Sequence, residues 1–293
     1  MKVHLVDGTY ELFRHYYALP GHANDAGQEV AATRGVVGSM LSLLEAGATH
    51  LAVATDHVIE SFRNDLWEDY KDGSGIEPEL RSQFELLEDA LRTLGVPVWA
   101  MVEYEADDAL AAGTAIAATD DRVEQVLICT PDKDLAQCVV GDRIVQFDRR
   151  NRRIINAEGV KKKFGVLPES IPDYLALVGD SADGYPGLPG WGAKSTATLL
   201  GRYKHLEEIP RRAIDWDVSV RSATQLAATL KDQLELAKLF RRIATLAVDA
   251  PVSQSVDELE WAGPTPEFGA TCTFLDAAEL LGRAERLATA RAG

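Results

Sequence analysis

Three short apolar runs recur in the first half of the chain, KVHLVDG from Lys2, HLAVATD from His50 to Asp56 and QVLICTPD from Gln125 to Asp132. Their unbroken apolar character and length predict strands buried on both faces. Between and after them the apolar spacing changes to a helical period over Arg34 to Glu45, Glu79 to Leu94 and Ala106 to Ala118. Strands alternating with helices predict an α/β fold with a mainly parallel sheet covered on both faces. From about residue 168 the pattern becomes helices joined by Gly/Pro-rich connections, notably GDSADGYPGLPGWGAKSTATLL, and a terminal helix is expected near Ala277 to Ala290. The expected division is therefore 1–167 for the α/β core and 168–293 for a helical module with its tail. In open parallel sheets ligands bind beyond the carboxyl ends of the strands, where Asp7, Asp56 and Asp132 fall.

Length and composition narrow the class. At 293 residues with 46% apolar content, the chain can bury one sizeable core or a core with an appended module. No apolar run is long enough to span a bilayer and the opening lacks a signal-peptide pattern, which points to the cytoplasm. Cys129, Cys138 and Cys272 are odd in number and have no CxxC spacing, so neither a disulfide framework nor a zinc site is expected. The formal charge of −16 argues against a generally basic nucleic-acid surface, but what a polyanion meets is the local field. Local basic runs exist at Arg149, Arg150, Arg152 and Arg153, at Lys161 to Lys163, and at Arg202 and Lys204. Each reads equally well as an ordinary solvated turn or helix face.

The candidate chemistry lies in the carboxylates. Glu105, Asp107 and Asp108 open a predicted helix, where one or two acids would merely favour the macrodipole; three in four residues exceed that need. Asp132 and Asp134 flank Lys133 after a strand, and Asp180 and Asp183 stand three apart in GDSAD. Each pair alone is an ordinary turn or cap. Delivered together with Asp7 and Asp56 from the ends of successive elements, these groups repel one another unless cations lie between them, which implies a site for hard divalent ions of the kind used on phosphate esters.

Other segments suggest substrate contacts. Gly190-Trp191-Gly192 followed by Ala193-Lys194-Ser195 makes a tight turn between helices, where glycines admit a phosphate and a helix N-terminus offers N–H groups. Arg63 and Lys71 follow Asp56, and each reads equally well as a salt-bridge partner of a nearby acid. Arg14, Tyr16 and Tyr17 fall on the predicted first helix, where the tyrosines are core aromatics or base-stacking groups.

These strings together resemble the 5′–3′ exonucleases and flap endonucleases, in particular the 5′-nuclease domain of bacterial DNA polymerase I. The matching segments are LVDG (5–8), SFR (61–63), YK (70–71), YEADD (104–108), TPDKDLAQ (130–137), GDSADGYPG (179–187) and GLPGWGAKSTATLL (187–200), in the family's order. The resemblance covers about residues 1–250. It implies a PIN-like nuclease core, a helical arch at about 66–95 and a helix-hairpin-helix-type DNA-binding module that often holds potassium. It further implies two Mg²⁺ or Mn²⁺ ions, one on Asp7, Asp56, Glu105 and Asp107, the other on Asp132, Asp134, Asp180 and Asp183, with Asp108 nearby. Lys71, Arg63 and Lys133 are expected to act catalytically. Arg14, Tyr16, Arg81, Gly190, Gly192, Lys194 and Ser195 are expected to contact DNA with 5′ flaps, nicks or free 5′ ends.

A free-standing monomer is the expected form. Two departures stand out: Ser74 occupies the position of the arginine in the family's YKxxR arrangement, with Arg81 as a substitute, and Gly184 stands where many relatives carry Asn. A haloacid-dehalogenase-like phosphatase is excluded because its nucleophilic aspartate would fall at Leu5. A catalytically silent junction binder is disfavoured because every acidic position is present.

Overall fold

The computed structural model describes residues 1–292. In chain order the elements are β1 (Lys2–Asp7), α1 (Gly8–Ala18), α2 (Ala31–Glu45), β2 (His50–Asp56), α3 (Pro78–Arg81), α4 (Gln83–Thr93), β3 (Val98–Met101), α5 (Ala106–Thr119), β4 (Gln125–Cys129), β5 (Ile144–Asp148) and β6 (Arg153–Ile155). They continue with α6 (Ala157–Phe164), α7 (Ile171–Val178), α8 (Ala193–Tyr203), α9 (Ala223–Asp232), α10 (Leu234–Ala244), α11 (Phe268–Phe274) and α12 (Ala278–Ala292). Two compact units result: among the described residues, 1–59, 73–130 and 248–292 form the first, and 60–72 and 131–247 the second. The tail, grouped by linear reading with the helical module, thus packs within the first unit.

The first unit is built on parallel strands in the order β3-β2-β1-β4. Val3, Leu5 and Val6 of β1 and Leu51 to Ala54 of β2 are fully buried, which is why these strands read as continuous apolar runs. α5 packs across the strands, α1 lies on β2 and α4 on β3, with α2 behind α1 and α4. α1 begins directly after Asp7, and this abrupt turn needs Gly8: a Cβ there would lie 2.6 Å from Val53 Cγ1 and 2.9 Å from the Ala54 carbonyl oxygen.

Two expectations are refined. The helix expected over 79–94 is two, α3 and α4, because the Gln83 side chain turns inward and accepts from the Thr33 N–H and hydroxyl at 3.0 and 3.1 Å. Of the stretch expected as an arch, α4 buries Phe84, Leu87 and Leu91 in the core, so that helix is part of the core.

The second unit is helical apart from the antiparallel β5–β6 hairpin. Its core gathers Leu175 and Leu177 of α7, Leu199 and Leu200 of α8, Phe240 of α10 and Tyr185. Trp67 meets Phe240 edge-on at 5.0 Å, tying residues 60–72 into this core.

Candidate metal and nucleic-acid site

In the first unit, parallel pairing places Asp7 and Asp56 at the carboxyl ends of neighbouring strands, and Glu105 follows the end of β3. Asp7 caps α1, accepting from the Tyr10 N–H at 2.8 Å, while its other oxygen accepts from the Thr130 hydroxyl at 3.0 Å. Asp56 accepts from the Ala106 N–H at 2.8 Å, binding the end of β2 to the start of α5. Glu105 and Asp108 form a reciprocal cap, Asp108 accepting from the Glu105 N–H at 3.0 Å. Asp7, Glu105 and Asp108 are buried, Asp56 and Asp107 partly so. Helix N-termini thus support the concentration of charge, and since a carboxylate has about four acceptor sites, one structural hydrogen bond does not exhaust it.

In the second unit, Asp134, Asp180 and Asp183 each bring a carboxylate oxygen within 4.8 Å of the others. Asp132 accepts from the Asp134 N–H at 2.9 Å, and a two-way backbone bridge between Asp180 and Tyr185 closes the turn that carries Asp183. Asp134 is only 6% exposed, and its Oδ1 is buried without a hydrogen-bond partner. Burial, with Asp132, Asp183 and Asp180 close by, pushes its carboxyl well above the usual range, against the pull of Lys133.

Two lysines supply counter-charge. Lys133 is ion-paired with Asp180, and although burial opposes it, the surrounding carboxylates hold its ammonium above the ordinary value. Lys71 meets Asp183 at 3.1 Å, and its N–H donates to the Asp183 carbonyl at 3.2 Å. An all-oxygen donor set with an orphaned buried oxygen fits a hard divalent cation.

The remaining expected residues are placed as follows. Arg63 is 2% exposed and donates through Nε to the Ile243 carbonyl at 2.8 Å and through a terminal nitrogen to the Thr245 carbonyl at 3.2 Å, so it clamps the end of α10 inside the second unit. Arg14 pairs with buried Glu11 at 2.5 Å. The Tyr16 hydroxyl donates to Glu77 at 3.0 Å; desolvation and this carboxylate push its phenol up to about 12, and its ring meets that of Tyr17 edge-on. Arg81, expected to take the place of the arginine in the YKxxR arrangement, is exposed in the last turn of α3.

The glycine turn precedes α8 as expected. Gly192 is the N-cap, the Ser195 hydroxyl donates to its carbonyl at 3.0 Å, and Lys194 is exposed in the first turn. These residues line a cavity of about 650 Å³ together with Ser219, Arg221 and Ser222, which precede α9. The second side was missed in the sequence, although SVRS before a helix carries the serine signature of an N-terminus.

An α/β core with acids at its strand ends and a helical unit holding a carboxylate cluster supply oxygen donors of the kind that hold hard divalent cations. Residues 2–165 match the family model of the 5′-3′ exonuclease N-terminal resolvase-like domain and residues 166–267 that of the 5′-3′ exonuclease C-terminal SAM fold. The chain belongs to the 5′–3′ exonuclease family. It is 30% identical over 264 residues to a 5′-3′ exonuclease of Aquifex aeolicus, covering 89% of this chain and 87% of that one. It is 35% identical over 273 residues to DNA polymerase I of Pseudomonas aeruginosa, covering 90% of this chain and 29% of the polymerase. The chain therefore spans about a third or less of the polymerases it matches. Among solved structures, the T5 D15 protein co-crystallised with metal ions aligns with a TM-score of 0.65 at 17% identity, covering 98% of both chains. Flap endonuclease-1 from Methanococcus jannaschii aligns with a TM-score of 0.58 at 16% identity, covering 99% of this chain and 93% of that one. At these identities the structural likeness concerns the fold.

Proposed function

We propose that the protein is a structure-selective 5′ nuclease that hydrolyses DNA phosphodiesters at 5′ flaps, nicks and free 5′ ends, leaving 5′-phosphate and 3′-hydroxyl, in replication or repair. The observation that carries this reading is the trio of buried Asp134 and Asp180 with half-buried Asp183, with its orphaned oxygen and two paired lysines. Asp132 joins this trio in holding one divalent cation, Mg²⁺ or Mn²⁺. Asp7, Asp56, Glu105 and Asp107 hold a second, with Asp108 fixing Glu105 through the shared cap. When bound, the cations supply an activated water and charge stabilisation at the leaving oxygen. Lys133 and Lys71, ion-paired with Asp180 and Asp183, would add positive charge beside the substrate phosphate.

The Gly190 to Ser195 turn contacts duplex phosphates and is the place for a potassium ion; the functional division falls near residues 165–168, and the protein acts as a monomer. Among the described residues no helix is long and apolar enough to cross a membrane.

A 5′-labelled flap substrate incubated with Mg²⁺, with Mn²⁺ and with chelator tests the proposal, comparing wild type with Asp132→Ala. Metal-dependent cutting near the junction that the variant loses is expected. Junction binding without cutting by the metal-saturated wild type would sink the catalytic reading.

A further inference from the structure

The two longest basic runs of the sequence meet on one part of the second unit. Arg149 to Arg152 form the turn of the β5–β6 hairpin, with Arg152 in the left-handed region at φ 50°, and Lys161 to Lys163 fill the last turn of α6. Arg150, Arg152, Arg153 and all three lysines are exposed. Between Asp148 and Lys163 seven cations stand against two carboxylates, in a chain whose net charge is −16. A helix C-terminus favours lysines through its dipole, but the four arginines at the hairpin serve no helix end. Hairpin and helix are packed together.

This basic surface is continuous with elements already placed in the site. Lys163 lies over the Phe164 ring at 4.8 Å. Burial lowers its pKa, Arg153 and Lys133 push the same way, and Asp132 and Asp148 oppose them, so the run extends electrostatically to the Asp132-Lys133 turn. Just after these lysines α6 closes on Gly165, which abuts α8: a Cβ at Gly165 would lie 2.8 Å from Ala197 Cβ, and one at Gly201 would lie 3.1 Å from the Gly165 carbonyl oxygen. Ala197 is about one helical turn, or ~5 Å of rise, from Lys194 at the N-terminus of the same helix.

We propose that the Arg149–Arg153 hairpin and Lys161–Lys163 form a phosphate track that holds the backbone of the duplex part of the DNA substrate, extending the contact made at the start of α8. The inference rests on the nucleic-acid reading above. Guanidinium forks suit phosphate oxygens bidentately and ammonium groups act as point charges, so contacts of this kind position a duplex without reading its sequence. They also resolve the paradox of an acidic DNA-binding chain, because the attraction is local and screened within about 10 Å at ~0.1 M salt.

The test is the salt dependence of binding to a fluorescent nicked duplex in the presence of chelator, from about 50 to about 200 mM KCl. Wild type is compared with the variant Arg150→Ala, Arg152→Asn, Lys161→Ala, Lys162→Ala, in which Asn is tolerated at the left-handed position. A charge-matched control carries Arg211→Ala, Lys231→Ala, Lys238→Ala and Arg286→Ala. Each lost phosphate contact lowers the log–log slope by about 0.9, so the track variant should lose about 2–4 units of slope and bind at least ~10-fold more weakly at low salt. The control should stay within about one unit of wild type. An unchanged slope in the track variant, or an equal loss in the control, overturns the track. Cutting of the same DNA by wild type with Mg²⁺ separates the two readings: cutting with unchanged slopes removes only the track, whereas a wild type that neither binds nor cuts removes both.

Discussion

Replacing Arg63 by Met separates the role implied by family resemblance from the role its surroundings indicate. The guanidinium is 2% exposed, stacks on Phe62 at 4.6 Å and donates to the Ile243 and Thr245 carbonyls at the end of α10. Hydrogen bonds to a charged donor contribute about 1.5–3 kcal/mol each, and a cation at a partly buried helix C-terminus adds up to about 2 kcal/mol. The desolvation cost of the buried cation, which Met does not incur, offsets part of this. The net loss is about 3 kcal/mol, chiefly from carbonyls left without a donor. At roughly 3 °C per kcal/mol for a unit of this size, the melting temperature should fall by about 10 °C. Cleavage per folded molecule, assayed well below that temperature on a 5′-labelled flap, should stay within about threefold of wild type, since ~0.6 kcal/mol of barrier is the most a displaced clamp should cost. A variant that melts like wild type but has lost cleavage would refute the structural assignment and return Arg63 to the reacting phosphate.

Four further outcomes are expected. Asp134→Asn should raise the melting temperature of the metal-free protein by a few degrees, because it removes charge from a crowded buried site, while reducing metal-dependent cleavage at least ~100-fold; a destabilised metal-free variant would contradict the repulsion argument. Gly184→Asn should destabilise by about 2 kcal/mol or more and weaken the Lys71–Asp183 pair, since Gly184 has φ +84° and a Cβ would lie 2.0 Å from the Asp69 carbonyl oxygen; a neutral effect in urea unfolding would count against this. Glu207 is held at about 2 by its hydrogen bonds to Arg241, so its contribution is present above about pH 4.5 and lost as pH falls toward 2; Glu207→Gln should flatten this acid limb by less than about 1 kcal/mol, and an unchanged limb would contradict the assignment. Burial, with Glu279 and Glu285 nearby, pushes the Cys272 thiol up to about 11, so at about pH 8 a maleimide should modify half-buried Cys138 well before Cys272 or buried Cys129; comparable native labelling of Cys272 would show that helix α11 opens.

The legible parts of the fold were those whose physics is local. β1, β2 and β4 announced themselves because strands covered on both faces have no polar alternation to confuse them with anything else. β3 was hidden because it has four residues and directly follows Val96-Pro97. β5 and β6 were hidden behind the arginines of their own turn, which read as a solvated loop. Asp7, Asp56, Glu105, Asp107 and Asp108 were legible because they end a strand or open a helix, whereas Asp180 and Asp183 lie in the turn after α7. The pairing of Lys133 with Asp180 and of Lys71 with Asp183 was not legible, since it depends on turns brought together by the core around Tyr185 and Phe240. Arg63 defied the rule that cations stay wet, and the carbonyls at the end of α10 are among the partners that its burial serves.

Gly184 shows why a departure from a family pattern is best read with its neighbours. An Asn at this position would itself tolerate the left-handed backbone, which Asn adopts readily. Here the backbone conformation is only half of the constraint. The Trp67 indole donates to the Gly184 carbonyl at 3.1 Å and the Lys71 N–H to the Asp183 carbonyl at 3.2 Å, drawing residues 67–71 so close that no Cβ fits beneath Asp69. The same lacing sets Lys71 on Asp183. Ser74, in place of the family's arginine, lies just beyond this laced segment and is exposed. The two departures thus bear on one stretch of chain: a glycine admits the close approach of Asp69 before it, and a serine, not a cation, follows it.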